Sequence, residues 1–161
     1  MKTVTKNLIG AAAVLVFAGC ASQPLTLSSV GPTPASAEKP SNLGGLQVYT
    51  DLESHQIGDS TYYYPHAGYE VYSSSGARVK TVENHHGPMD ETPTLVAMPA
   101  GHYTILGPSA NYGNVRVPVT IETGKTTVIH LDGYWKPAAS ARYQVVYFPN
   151  GEAIGWRSSV E

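Results

Sequence analysis

The chain has 161 residues, 10 basic and 12 acidic side chains, a formal charge of −2 and a single cysteine. The length suits one domain with a sizeable core, the weak acidity argues against nucleic-acid binding, and a lone cysteine excludes an intramolecular disulfide. Sixteen glycines, twelve prolines and eleven tyrosines favour turns and strands over helices.

At the N-terminus, Lys2 and Lys6 precede an apolar run over residues 8–17 that is too short to span a bilayer comfortably. The run ends in Phe17-Ala18-Gly19-Cys20, small residues just before the cysteine. This end resembles a bacterial lipobox. The resemblance implies that residues 1–19 are a lipoprotein signal peptide forming a signal helix. It also implies that the Cys20 thiol receives a diacylglycerol, and that cleavage before Cys20 frees an amino group that is then acylated. Loss of residues 1–19 removes Lys2 and Lys6 and no acidic residue. Eight basic and twelve acidic side chains remain, a charge of −4. Several buried acyl chains, at roughly 0.8 kcal/mol per CH₂, hold a protein stably on a membrane. Ala21 stands where an aspartate favours inner-membrane retention in Gram-negative cells. The expected location is therefore the periplasmic face of the outer membrane there, and the cell membrane otherwise. The alternatives are a signal peptide with an incidental cysteine, or a short membrane anchor.

Residues 20–45 are rich in Ser, Pro, Thr and Ala and read as a lipidated, disordered tether. The folded part begins with Leu46-Gln47-Val48-Tyr49-Thr50-Asp51-Leu52, which alternates as a strand does. Residues 53–60 are polar and contain Gly58-Asp59, the composition of a loop. Tyr62-Tyr63-Tyr64 follows, then strands at Tyr69-Glu70-Val71-Tyr72 and over residues 79–82, separated by the Ser73-Ser74-Ser75-Gly76 turn. Asn84-His85-His86-Gly87-Pro88-Met89-Asp90-Glu91 is a polar loop.

The most regular pattern runs from residue 94 to 132. Leu95-Val96-Ala97-Met98 is apolar, Pro99-Ala100-Gly101 is expected to reverse the chain tightly, and Tyr103 and Ile105 carry the next strand. Val115, Val117, Val119 and Ile121 share one face. Pro118 lies on the other face and points to an edge strand or a bulge, because it has no N–H for a ladder. After Gly124-Lys125, Thr127, Ile129 and Leu131 are expected to face inward, with Thr126, Val128 and His130 facing out or toward a second layer. Strands joined by short turns predict an all-β, antiparallel sandwich. Met98-Pro99-Ala100-Gly101-His102-Tyr103-Thr104-Ile105, with the later run from Val117 to Val128 through Gly124-Lys125-Thr126-Thr127, resembles the carboxypeptidase-regulatory-like and transthyretin-like (Ig-like) sandwich modules of bacterial envelope proteins. The resemblance covers residues 46–133. It implies a fold and no shared catalytic residues, since such sandwiches host many roles. Residues 134–161 form an expected C-terminal hairpin extension. Its first strand spans 142–148, Pro149-Asn150-Gly151 turns the chain, and 153–157 returns.

Tyr62, Tyr63 and Tyr64, with Trp135 and Trp156, are the candidate partner surface, because aromatic rings combine flat apolar faces with polar tips suited to glycans and protein interfaces. The competing reading is that these rings fill strand positions and cap the core. His85 and His86, near Asp90 and Glu91, are weak metal candidates, since adjacent residues of a strand point to opposite faces and zinc needs three or four converging ligands. His102 and His130 are candidate neighbours across a sheet. No nucleophile elbow or phosphate-binding loop occurs. The sequence thus predicts a membrane-anchored envelope lipoprotein acting as a structural or binding module for a protein or glycan. It needs no cofactor and is not expected to be an enzyme. The alternative is a metal-binding protein or a metal-dependent hydrolase using surface histidines.

Overall fold

The computed structural model describes residues 25–34, 42–85 and 92–159. Cys20, the expected signal helix, His86, Asp90 and Glu91 lie outside the described residues.

The chain forms strands β1 (Leu43–Tyr49), β2 (Glu53–Ile57), β3 (Ser60–Tyr64), β4 (Tyr69–Ser73), β5 (Arg78–Val82), β6 (Val96–Pro99), β7 (Gly101–Ser109), β8 (Gly113–Ile121) and β9 (Thr126–His130). A 3₁₀ turn (Ala139–Gln144), β10 (Val145–Tyr147) and β11 (Ala153–Trp156) complete it. One sheet has the order β6-β1-β9 and the other β5-β4-β7-β8. Pairing is antiparallel except between β1 and β9, which run parallel. The molecule is an all-β sandwich. Its core draws Leu46 and Val48 from β1, Val96 and Met98 from β6, Ile129 from β9, and Val71, Ile105 and Val117 from the facing sheet.

The alternating pattern of β8 and β9 is realised side chain by side chain. Val115, Val117, Val119 and Ile121 are buried, as are Thr127, Ile129 and Leu131. β8 lies at the edge of its sheet. The Pro118 carbonyl accepts from the Val30 N–H on the side away from β7. The proline nitrogen faces that same open side, so its missing N–H removes no bond to β7.

Two turns act differently from expectation. Residues 99–101 join β6 to β7, and residues 122–125 join β8 to β9, and in both cases the two strands belong to different sheets. Each is a corner that carries the chain across the core, not a hairpin. At the second corner the Lys125 N–H donates to the Glu122 carbonyl at 3.2 Å and the side chains pair at 2.9 Å.

The polar stretch expected to be a loop at residues 53–60 is a strand. β2 pairs with β3 from Glu53↔Tyr64 to Ile57↔Ser60. Its turn is Gly58-Asp59, with Gly58 at φ +60°, the positive value that a two-residue hairpin loop needs and that glycine adopts without steric cost. β1 begins at Leu43, three residues before the expected Leu46.

Residues 25–34, placed by composition within the linker, lie on the sandwich. Val30 is fully buried in the core, and Leu25 and Leu27 pack against it. This strap is hydrogen-bonded to three elements. The Val30 N–H donates to Pro118 and the Val30 carbonyl accepts from Thr120. The Gly31 N–H donates to Trp156 and the Thr33 N–H to Thr126. It thereby occupies the open edges of β8 and β9, where unpaired backbone groups would otherwise face solvent. The C-terminal hairpin forms as expected around residues 149–151, although 139–144 is 3₁₀ turn and not strand. It is integral to the sandwich, since Val146, Phe148 and Ile154 belong to the main core.

Candidate binding surface

β2 and β3 form a two-stranded arm. Among the described residues neither strand pairs with any other. Cross-strand partners share a face, so Ile57, His55 and Tyr62 project on one side and Tyr63 and Ser54 on the other. Tyr62 is 43% exposed, Tyr63 61%, and Ile57, at the tip, 62%. Leu52, just before the arm, is also exposed. Large apolar groups are thus held in water on both faces of a ribbon that contributes nothing to the core.

The arm is fixed at its base. Tyr64 stacks on His85 with ring centres 4.1 Å apart, and His55 meets Tyr64 edge-on at 5.1 Å. The Glu53 carboxylate lies 2.7 Å from His55 Nε2 through one oxygen and 3.8 Å from His85 Nε2 through the other. Below this, buried Asn84 donates from Nδ2 to the Val48 carbonyl at 2.7 Å and to Thr50 Oγ1 at 3.1 Å. Thr50 Oγ1 in turn donates to the Ala67 carbonyl at 2.7 Å. These bonds clamp the two points where the chain leaves and rejoins the sandwich.

Beside the base lies an open cleft of about 540 Å³, lined by Glu53, His55, Glu70, Glu83, His85 and Leu106 among others. Its size falls within the range of small-ligand sites. Tyr69 borders it, and its buried hydroxyl has no hydrogen-bond partner among the described residues. Burial pushes the Tyr69 phenol far above its ordinary pKa, so it is neutral at physiological pH. On the neighbouring sheet face, Glu70 accepts from the Tyr72 hydroxyl at 2.6 Å and from Arg78. These two hydrogen bonds, Tyr72 first, hold the Glu70 carboxyl below the usual carboxylate range.

The five aromatic residues singled out in the sequence do not form one platform. Tyr62, Tyr63 and Tyr64 belong to the arm. Trp135 and Trp156 belong to a separate stack on the outer face of β1 and β9. There His130 lies between Tyr49 (4.6 Å) and Trp135 (5.0 Å), and Trp156 meets Trp135 edge-on at 5.7 Å. Trp135 and Trp156 are partly buried and pack on the small cluster of Ala141, Val145 and Ala153. Their visible role is to hold the C-terminal hairpin on the sandwich.

The histidines are dispersed by the fold. His102 in β7 and His130 in β9 lie in different sheets and are not cross-strand neighbours. His102 Nδ1 is 3.3 Å from Thr120 Oγ1. Among the described residues no group of three His, Cys, Asp or Glu side chains could hold a metal ion. The nearest approach, His55, Glu53 and His85, spreads its contacts over two carboxylate oxygens that serve different rings. Ile57, His55 and Glu53 were not selected from the sequence. The available signal was the Gly58-Asp59 pair, which suits a two-residue hairpin turn.

No protein-family model matches the chain, and no curated protein and no solved structure matches it.

Proposed function

We propose that this chain is an envelope lipoprotein, held at the periplasmic face of the outer membrane by acyl chains on Cys20, whose sandwich binds a protein partner through the β2–β3 arm. The observation that carries the binding role is the exposure of Ile57, Tyr62 and Tyr63 on a ribbon that, among the described residues, pairs only with itself. Exposed aromatic and aliphatic side chains grouped on one projecting element mark interaction sites. A protein is favoured over a glycan because Tyr62 and Tyr63 point to opposite faces. A flat sugar-stacking platform needs its rings on one side, whereas a ribbon with an exposed aromatic ring on each face suits insertion between partner elements. The anchor is supported by the lipobox-like Phe17-Ala18-Gly19-Cys20 and the basic, apolar run before it. The metal-dependent reading gains no supporting observation among the described residues, and no catalytic residue is assigned.

The test is a photo-crosslinking amino acid placed at Tyr63 in intact cells, with Ser75, in the β4–β5 turn, as control. A discrete protein adduct from position 63 and none from position 75 is expected. Absence of a protein adduct at position 63, with glycan capture by the purified domain, would remove the protein-binding reading.

A further inference from the structure

We propose that the sandwich is held close to the bilayer, no farther from it than the five-residue span from Cys20 to Leu25 allows, and is not displayed on a long linker. The inference rests on the reading of Cys20 as the lipid anchor.

The composition of residues 20–45 describes a linker whose full extension from Cys20 to Leu46 is roughly 90 Å at about 3.5 Å per residue. The strap removes most of that length. Leu25 and Leu27 pack on the core, Val30 is within it, and three strap N–H groups, those of Val30, Gly31 and Thr33, bond to the body of the sandwich. Ser29 and Ser158 each place a hydroxyl 3.1 Å from Thr120 Oγ1, and Arg157 Nη1 donates to Ser28 Oγ at 2.8 Å. Among the described residues the first attachment is Leu25, five residues after Cys20, a span of about 18 Å at most. Thr33 and Leu43 are both fixed on the sandwich, so the sequence between them adds nothing to the reach.

The strap is also strongly held. Releasing it would expose Val30 and the edges of β8 and β9 together, so extension of the linker is coupled to opening of the core and does not occur as an independent motion.

The full-length lipidated protein in phosphatidylethanolamine/phosphatidylglycerol vesicles provides the test. Hydrogen exchange at the Val30, Gly31 and Thr33 amides is expected to be as slow as in the core strands. A donor dye on S74C, unique because lipid occupies the Cys20 thiol, is expected to transfer energy to headgroup acceptors. Insertion of twenty Gly/Ser residues between Ala21 and Ser22 should lower that transfer by about two-fold, since such a linker adds roughly 25 Å of mean extension. Lipidated protein with coil-like exchange at the three amides, or with transfer unchanged by the insertion, overturns the short leash and leaves the lipoprotein reading standing. An unmodified Cys20, seen by mass spectrometry of the same sample, overturns both.

Discussion

Val30 joins the strap to the rest of the molecule. It is fully buried between β8 and the C-terminal hairpin, so Val30→Ala should cost about 2–3 kcal/mol from the methyl groups removed and the space they leave. Urea denaturation reads this directly, and a loss below a few tenths of a kcal/mol would show that the strap does not belong to the core. Gly155 is the complementary position. A Cβ there would lie 2.6 Å from Val30 Cγ1 and 2.8 Å from the Val128 carbonyl oxygen. Gly155→Ala should destabilise by about 1–3 kcal/mol. The double variant with Val30→Ala should regain only part of this, because the carbonyl contact is backbone and cannot withdraw. Glu70 gives a pH signature. Its carboxyl is held low by Tyr72 and then Arg78, so the interaction is complete above the unfolded carboxylate range and is lost as pH falls through the lowered folded value. An NMR titration should place the Glu70 midpoint below that of an ordinary glutamate, and Tyr72→Phe should raise it. An unchanged midpoint in that variant would contradict the assigned cause.

Elements differ in how far their sequence announces them. β8 and β9 are legible because each buries one parity of β-branched and aliphatic residues, so the alternation is the structure. β2 is not legible, because both of its faces meet water and nothing selects a polar/apolar rhythm for Glu53-Ser54-His55-Gln56. The strap is hidden for another reason. A segment that docks through one valine and a few backbone bonds needs no periodic pattern, and its serines and prolines resemble those of a flexible linker. The arm separates stability from binding. Ile57→Ser and Tyr62→Ala remove exposed groups and should change unfolding free energy by no more than about 0.5 kcal/mol, while abolishing the protein adduct expected from a crosslinker at position 63. Asn84→Ala should do the reverse at the base, costing about 1–3 kcal/mol by leaving the Val48 carbonyl and Thr50 hydroxyl without their buried donor. Loss of the adduct only in variants that also lose stability would mean that the arm acts through the fold and not by contact.

At the scale of the whole molecule, the all-β class and the two-layer core follow from strands and turns that the sequence displays. The wiring does not, because Pro99-Ala100-Gly101 and Gly124-Lys125 have the local chemistry of reversals, and only the distant partners of the flanking strands decide whether a reversal makes a hairpin or a corner. β1 is decisive here. By pairing with β6 on one side and β9 on the other, it draws both strands out of the sheet that holds β7 and β8. The aromatic candidates divided for the same reason, since Tyr62-Tyr63-Tyr64 and the two tryptophans share a composition but not a location. In the proposed function the N-terminus unites the molecule, since an acylated Cys20 would stand a few residues from a strap built into the core. Mass spectrometry of the N-terminal peptide from fractionated envelopes tests this most directly. The account predicts a chain beginning at Cys20, carrying diacylglycerol and an amide-linked acyl chain, in the outer-membrane fraction. A free Cys20 thiol on a chain recovered in the soluble fraction would contradict it.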